Sequence, residues 1–371
     1  MGQSHVYVTG YRDGGGGTFD YVTIKYNSTG VEQWVQGYDG SGTGGYDEAF
    51  AIALDNSGNV YVTGASNGTS WSDYATIKYD SLGVQQWVRR YNGPGNGLDI
   101  PHSITADNSG NVYVTGQSDG TGGYGAYATI KYSAYGVQMW VQRYDGPGIG
   151  NNSARSIAVD QFGYVYVTGA SAGNGTNADY ATIKYSDIGA QQWVQRYNGP
   201  ANDYDGAYSL AVDVSGNVYV TGGSWGNGTG DYATIKYNSS GGQMWVIRYN
   251  GPANGIDEAI SIAVLDSDVV YVAGSSIQSG TGGYDYATIK YSHQGLVYQP
   301  SASEKWISGE NNTIKWTDYG WTSVNIKCIL NFQTSQESES LIVQGYSVAA
   351  PEYTWEIPDT LLLCSPVKVA G

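Results

Sequence analysis

The sequence predicts an all-β fold built from repeated sheets. The strand word Val-Tyr-Val-Thr-Gly, or a near variant of it, recurs about every 53 residues. A second word, Ala-Thr-Ile-Lys-Tyr, and a third, Trp-Val-x-Arg-Tyr, follow it in fixed order. Gly and Tyr account for 55 and 35 of the 371 residues, which is typical of turns and aromatic strands rather than helices. A fixed period of this length indicates a repeat architecture. The first word starts at Val6, Val60, Val112, Val165, Val218 and Val270.

Each full repeat contains four strand candidates, named A to D here. In the third repeat they are Ser103–Ala106, Val112–Thr115, Tyr127–Tyr132 and Gln138–Tyr144. Four antiparallel strands repeated six times without a helical period predict a six-bladed β-propeller. The first blade has no A strand, and residues Gly295–Tyr298 stand where the last D strand is expected. Seven blades in a longer parent chain is the alternative.

The repeat words resemble a known family, the SBBP β-propeller repeat. Its consensus reads Ser-Ile-Ala-Val-Asp-x-x-Gly-Asn-Val-Tyr-Val-Thr-Gly, and the A–B hairpin also resembles that of the NHL repeat. The resemblance covers about residues 3 to 298, and residues 1–298 are expected to form the propeller domain. It implies that strand A lines a central channel and that strand D is outermost.

The composition changes after residue 298. Three words predict strands of a small sandwich, Glu304-Lys305-Trp306, Ile314-Lys315-Trp316 and Tyr353-Thr354-Trp355. They resemble Ig-like modules of cell-wall and surface proteins, so residues 299–371 are expected to form an Ig-like β-sandwich that acts as a spacer or anchor. Cys328 and Cys364 are candidates for a disulfide, although their spacing alone does not show that they meet.

The charge of the chain restricts its partners. Acidic residues outnumber basic ones by 33 to 17, giving a net charge of −16. This excess disfavours nucleic acid and anionic membranes, and leaves glycans, cations and basic protein surfaces open. No apolar run approaches the roughly 18 residues that a membrane helix needs. The first strand leaves no room for a leader, so the chain is either a mature or trimmed form of an extracellular or cell-surface protein, or a cytoplasmic protein, and the composition favours the former.

The antiparallel order sends the A–B and C–D turns to one face and the B–C and D–A connections to the other. The second set is longer and more variable, and binding residues usually lie on such loops. We therefore expect protein or glycan partners on that face. The predicted long connections are residues 65–73, 92–101, 117–126, 170–179, 198–207 and 223–231.

Three groups of residues on the long-loop face are candidates for binding or support. One repeat position is expected to form either a cation- or ligand-binding collar at the channel mouth or a set of loop caps: Asp47, Asp99, Asn152, Asp205 and Asp257. A second position is expected to pair with a repeated cation such as Arg90 or Lys78: Asp20, Asp73, Asp179, Asp231 and Asp285. The third group is aromatic and is expected to stack on sugars, dock a partner or anchor loops: Trp71, Trp225, Tyr46, Tyr124, Tyr204 and Tyr284.

Several other residues are expected to stabilise the fold or to lie on its surface. Asp55, Asp107 and Asp213 are expected to cap turns rather than bind calcium, and Trp87 and its repeats are expected to pack between blades. No catalytic set or cofactor motif is found, since His5, His102 and His293 are isolated. Sequons are possible glycosylation sites: Asn27, Asn67, Asn151, Asn174, Asn227, Asn238 and Asn311.

The sequence thus predicts a non-enzymatic structural or adhesion protein. An incomplete terminal blade that accepts a strand from a neighbour would allow self-assembly into a filament or lattice. The alternative is a polysaccharide lyase or hydrolase with its site at the channel mouth.

Overall fold

A computed structural model describes most of the first 292 residues and several strands beyond them. The described residues are 5–15, 17–40, 45–67, 71–226, 228–266, 269–277, 283–292, 297–299, 311–316, 323–330, 338–347, 352–356 and 368–370. Side chains are described up to residue 265 and over 269–277 and 283–291 within those ranges.

Six antiparallel sheets follow one another along the chain. The first has three strands, β1 (His5–Gly15), β2 (Thr18–Asn27) and β3 (Glu32–Tyr38). Four complete sheets of four strands come next. The second sheet has β4 (Asp47–Leu54), β5 (Val60–Asn67), β6 (Ser72–Tyr79) and β7 (Gln85–Tyr91), and the third has β8 (Asp99–Ala106), β9 (Val112–Asp119), β10 (Gly125–Tyr132) and β11 (Gln138–Tyr144). The fourth has β12 (Asn152–Val159), β13 (Val165–Ala172), β14 (Ala178–Tyr185) and β15 (Gln191–Tyr197), and the fifth has β16 (Asp205–Val212), β17 (Val218–Gly226), β18 (Thr229–Tyr237) and β19 (Gln243–Tyr249). The sixth has β20 (Asp257–Asp266), β21 (Val269–Ile277) and β22 (Tyr284–Ser292). This is a six-bladed, propeller-like arrangement, and the first sheet lacks an A strand as predicted.

The A strands begin earlier than the sequence analysis predicted. Strand β8 starts at Asp99 rather than Ser103, and β10 starts at Gly125, so the connection between β9 and β10 shortens to residues 120–124. The alternation in β8 is interrupted between Pro101 and Ser103, where the register shifts by a β-bulge. Pro101 is tolerated at this irregular position because a bulge relaxes the demand for a ladder N–H. Because the bulge breaks the alternation of side chains, the sequence pattern did not predict the first half of this strand.

Neighbouring sheets pack through two complementary faces, which form the core. One face carries the Val, Ala and Ile residues of the B and C strands, such as Val112 and Ile130. The other carries the Tyr and Trp residues of the preceding sheet, such as Tyr61, Tyr74 and Trp87. Equivalent clusters bury the same residue types at the other described junctions. Neighbouring A strands also contact each other, which places them innermost.

The repeated tryptophans pack between sheets, as predicted. Trp87 lies 6.1 Å from the Tyr132 ring of the next sheet, and its indole N–H donates to the Ala134 carbonyl oxygen at 3.2 Å. A Cβ on Gly136, which has a φ of 77°, would lie 2.9 Å from the same indole. Glycine therefore serves both the left-handed turn and the close ring contact.

The turn aspartates cap their hairpins, as predicted. Asp55 Oδ1 accepts from the backbone N–H groups of Ser57 and Asn59, and its Oδ2 accepts from the Tyr61 hydroxyl. These hydrogen bonds lower the pKa of Asp55, although its burial acts in the opposite direction. The residue is thus used by the turn and holds a buried tyrosine in place.

Contacts divide the chain into two units: residues 1–267 with 271–289, and residues 268–270 with 290–371. In the second, β23 (Val297–Gln299), β24 (Asn311–Trp316) and β27 (Glu352–Glu356) form one sheet, and β25 (Ser323–Leu330), β26 (Ser338–Ser347) and β28 (Lys368–Ala370) form another. The prediction of a last D strand at Gly295–Tyr298 is wrong, because β23 pairs with β24. The side chains of Cys328 and Cys364 lie outside the described residues. Among the described residues, no helix is long and apolar enough to span a membrane.

Candidate functional site

The B–C and D–A connections lie on one side of the six sheets and the A–B and C–D turns on the other, as the consecutive antiparallel order requires. The prediction that both sets on the first side are long is wrong for the B–C connections: residues 120–124 are no longer than the A–B turn 107–111, and only the D–A connections, such as residues 92–98, are longer. We call these the long-loop surface (the B–C and D–A connections) and the short-turn surface (the A–B and C–D turns). The connections that the structure describes in full on the long-loop surface include residues 92–98, 120–124, 145–151 and 198–204. Asn96, Asn202 and Asn254 adopt positive φ in the D–A connections, so these loops have defined backbone turns.

Most of the predicted loop aromatic residues are exposed on the long-loop surface. Trp71 is 60% exposed and Tyr124 is 49% exposed, whereas the Tyr residues of the blade core are almost fully buried. Trp225 differs, because it is half-buried in β17 and packs over Gly230 and so anchors its own hairpin. The exposed members of the group are Trp71, Tyr46, Tyr124, Tyr204 and Tyr284.

A cleft of about 530 Å³ opens on the long-loop surface between the third and fourth sheets. It is lined by Tyr124, Arg143, Ile149 and the backbone of the adjacent glycines. Ile149 is exposed and is required by no repeat position. Sequence reasoning missed Arg143 and Ile149, because Arg143 belongs to a structural word and Ile149 stands alone in a glycine-rich loop.

The aspartate position expected at the channel mouth is buried. The Asp47, Asp99, Asp205 and Asp257 side chains are fully buried, each at the first residue of an A strand. One carboxylate oxygen accepts from a loop glycine N–H, as Asp99 does from Gly93 at 2.7 Å. This contact matches the loop-cap reading. The other oxygen, Oδ1, is buried and forms no hydrogen bond of normal geometry in four of these residues: Asp47, Asp99, Asp205 and Asp257.

Asn152 occupies the same position in the fourth sheet and uses both ends of its amide. Its Oδ1 accepts from the Ser171 hydroxyl and the Ala172 N–H. Its Nδ2 donates to the carbonyl oxygens of Gly125, Asp145 and Gly150 at 2.8 to 3.1 Å. In the fourth sheet this position is therefore surrounded by carbonyl oxygens, which can accept hydrogen bonds from the Asn amide group but not from a carboxylate.

Two of the aspartates at this position have raised pKa values, which agrees with the presence of a neutral Asn at the same position in the fourth sheet. Burial raises the pKa of Asp99 above its usual value, although the Ser118 hydroxyl and the Gly93 N–H act in the opposite direction. Burial raises the pKa of Asp205 in the same way. Removing a carboxylate from water disfavours its charged form, so these groups hold a proton more readily than exposed aspartates do.

Three of the five members of the second aspartate group pair with arginine, as predicted: Asp73, Asp179 and Asp231. Arg90 meets Asp73 at 3.1 Å, and the equivalent pairs Arg196–Asp179 and Arg248–Asp231 are both 2.8 Å long. Lys78 is not the partner, since it donates to the Ala134 carbonyl oxygen of the next sheet. The D-strand arginine therefore fixes the hairpin that bears the B–C connection.

The first sheet departs from this pattern, because Gly37 replaces the arginine. Carboxylate oxygens of Asp20, Asp39 and Asp47 lie within 4.8 Å of one another at the junction of the first two sheets. Such oxygen ligands suit a hard cation like Ca²⁺, so these three residues could hold one.

The candidate glycosylation sites have varied surroundings. Asn151 and Asn174 are exposed, and Asn67 is half-buried. The Oδ1 atoms of Asn27 and Asn238 accept backbone N–H groups in their own turns. The side chains of Asn227 and Asn311 lie outside the described residues.

Two sequence comparisons agree with the repeat architecture. The SBBP family model, described as "Beta-propeller repeat", matches residues 86–124. The NHL repeat-containing protein 3 of Mus musculus is 30% identical over 118 residues, which are 30% of this chain and 32% of that protein. The chain thus matches about a third of the length of this curated relative. Among solved structures, the periplasmic gluconolactonase of Pseudomonas aeruginosa aligns with a TM-score of 0.46 and 11% identity over 99% of both chains.

Proposed function

We propose that this chain, a β-propeller repeat protein of the SBBP and NHL type, is a non-enzymatic binding protein that recognises glycan or protein partners through its long-loop surface. The observation that carries the proposal is the set of exposed aromatic side chains on that surface, led by Trp71 and Tyr124. No repeat position requires either residue. Exposed aromatic rings are frequent anchors of binding sites, because they bury a large area at a small entropic cost.

The surroundings of these residues support the proposal. The sheet that bears Trp71 has its hairpin fixed by the Arg90–Asp73 pair, and in the sheet that bears Tyr124 the Arg143 guanidinium donates to the hydroxyl and carbonyl oxygens of Ser118. The cleft beside Tyr124 combines an apolar side chain, Ile149, with the Arg143 guanidinium. The proposal includes an extracellular or cell-surface location and an Ig-like spacer over residues 299–371, where two three-stranded sheets are found.

Replacing Trp71 and Tyr124 together by Ala is expected to weaken binding at least about tenfold, since each ring contributes on the order of 1–2 kcal/mol at a binding hot spot. The measurement is a glycan array with the native chain, followed by titration of the best glycan against both variants. A matched control replaces Tyr135 and Phe162, which are exposed on the short-turn surface, and should bind like the native chain.

Two outcomes would contradict this proposal. Equal binding by the loop variant and the native chain would move the site away from the long-loop surface. Release of new reducing or unsaturated ends from a bound polysaccharide would instead establish the alternative, a lyase or hydrolase.

A second candidate function is self-assembly, and the two end sheets favour it. Val6 and Val8 of the first sheet are 55% and 49% exposed, whereas the equivalent Val60 and Val62 are fully buried by a preceding sheet. At the other end Tyr286 is fully exposed, whereas its equivalent Tyr74 is buried. A second copy offers the complementary face to each end, and head-to-tail contacts of this kind build filaments.

Val8→Glu is expected to abolish such assembly, because it places a charge on the apolar face of the first sheet. Light scattering and electron microscopy over a concentration series would detect the change. Val31→Glu, at an exposed turn residue, is the matched control and should leave assembly intact. A native chain that stays monomeric at every concentration would exclude self-assembly.

A further inference from the structure

One position on the innermost strands changes from repeat to repeat while its neighbours stay nearly constant. It is the bulged residue, three places after the buried Asp or Asn. In every repeat an Ala or Pro precedes it, an Ala or Ser follows it, and an Ile or Leu stands two places later. The residues at this position are Phe50, His102, Arg155, Tyr208 and, by sequence alignment, Ile260. Because the scaffold is the same around five different side chains, their chemistry is not set by folding.

Three of these bulged residues form a polar group across adjacent sheets. The Arg155 Nη1 atom lies 3.4 Å from His102 Nε2. Burial, and then the charge of Arg155, lower the pKa of His102 to about 4, so the ring is neutral near pH 7 and Nε2 can accept from the guanidinium. On the other side, the Leu210 N–H donates to the Ser156 hydroxyl at 3.2 Å, which sets Tyr208 of β16 beside Arg155 of β12, and the charge of Arg155 acts on the pKa of Tyr208.

Arg155 is unlike the arginines of the repeat words. Those arginines, such as Arg196, pair with a carboxylate or donate to backbone and hydroxyl oxygens. Arg155 is exposed, and in the described part of the chain it forms no ion pair. An uncompensated guanidinium is unusual in a chain of net charge −16. Its fork of N–H donors matches a carboxylate group.

We propose that Arg155, flanked by His102 and Tyr208, binds the carboxylate of a small organic acid at the inner edge of the blades. The guanidinium supplies the charge and a two-pronged contact, and Tyr208 supplies a ring and a hydroxyl for the body of the ligand. Glu258, whose charge acts on Tyr208, disfavours a second anionic group on the ligand. The site therefore prefers monocarboxylates with a polar ring, such as a uronic acid. This proposal does not depend on the long-loop surface.

The test is calorimetric titration of the full chain at low salt with galacturonate, acetate and galactose. Galacturonate is expected to bind one per chain, acetate more weakly, and galactose at least about tenfold more weakly than galacturonate, because galactose lacks the charge-assisted contact. Arg155→Gln should lower the affinity for galacturonate about tenfold or more, and Tyr208→Phe should lower it less. Arg12→Gln, which removes the same charge from an exposed residue of the first sheet, should bind like the native chain.

Circular dichroism would first establish that Arg155→Gln folds like the native chain. Equal galacturonate affinity for the native chain and Arg155→Gln would overturn the proposal, as would the absence of binding by any carboxylate at millimolar concentration. A variant without Trp71 and Tyr124 should keep its galacturonate affinity, which separates this site from the long-loop surface.

Discussion

Gly169→Ala is expected to destabilise the chain by about 3 kcal/mol or more, at the upper end of the cost of overpacking a core. Gly169 ends the Val-Tyr-Val-Thr-Gly word of β13 and pairs with Ala154 of β12, beside the bulge. A Cβ there would overlap the Ser153 carbonyl oxygen and lie 2.8 Å from the Ala154 Cα atom. Backbone cannot rotate away as a side chain can, so the inner strand would have to shift.

Urea unfolding followed by tryptophan fluorescence would measure this effect. Gly122→Ala is the matched control, because a Cβ on Gly122 meets nothing within 4 Å, and its unfolding midpoint should match that of the native chain. A Gly169→Ala chain as stable as the control would mean that the inner strand is not held against β13 as described. The same requirement applies at Gly64, Gly116, Gly222 and Gly274.

This glycine illustrates what the sequence could predict. The repeat of one word six times located every B strand, and the turn aspartates located the hairpins, because both features are local. The period also located the Arg–Asp pairs, since Arg196 and Asp179 recur at fixed distances from the same words. Periodicity identifies a position as structural, and the geometry then supplies the reason.

Contacts between distant residues could not be predicted in the same way. The first sheet lacks the D-strand arginine, which is Gly37, and Arg12 stands in β1 where the second sheet has Ser66. A Cβ on Gly37 would lie 3.0 Å from the Arg12 guanidinium. In the first sheet an arginine of β1 therefore occupies the space beside Gly37 of the D strand. Only the register of β1, β2 and β3 reveals this exchange.

The bulged residues were missed for a related reason. His102 and Arg155 are 53 positions apart, and each one alone reads as an isolated polar residue. A bulge interrupts the alternation that would have assigned them to a strand. The signal that was available is their variability among near-identical neighbours, which is visible in the sequence once the repeats are aligned.

Asp205→Asn is expected to stabilise the chain at pH 8 by about 1 kcal/mol or more, and Asn152→Asp to destabilise it by about 2–3 kcal/mol, the range for an unpartnered buried charged group. In the fourth sheet the Asn152 amide donates to three carbonyl oxygens, which a carboxylate cannot do. At the same position the Asp205 carboxylate is buried, and the donors that act on it are the Gly199 N–H and the Ser224 hydroxyl. The natural Asn152 thus shows that a neutral amide is accommodated at this position of the repeat.

The pH dependence distinguishes this explanation from a simple packing effect. The folded pKa of Asp205 is raised, so the stability it contributes is present below its unfolded pKa, near 3.9, and is lost as the pH rises through the folded value. The advantage of Asp205→Asn over the native chain should therefore grow between about pH 4 and pH 8. Asp55→Asn should behave in the opposite way, because the folded pKa of Asp55 is lowered and its contribution is lost on acidification. Thermal unfolding of both variants across this range, in the presence of a chelator, would measure the two slopes. Two results together would contradict this explanation: Asp205→Asn destabilises the chain at every pH, and calcium raises the melting temperature of the native chain alone. The buried carboxylates would then be cation ligands rather than groups that are protonated on folding.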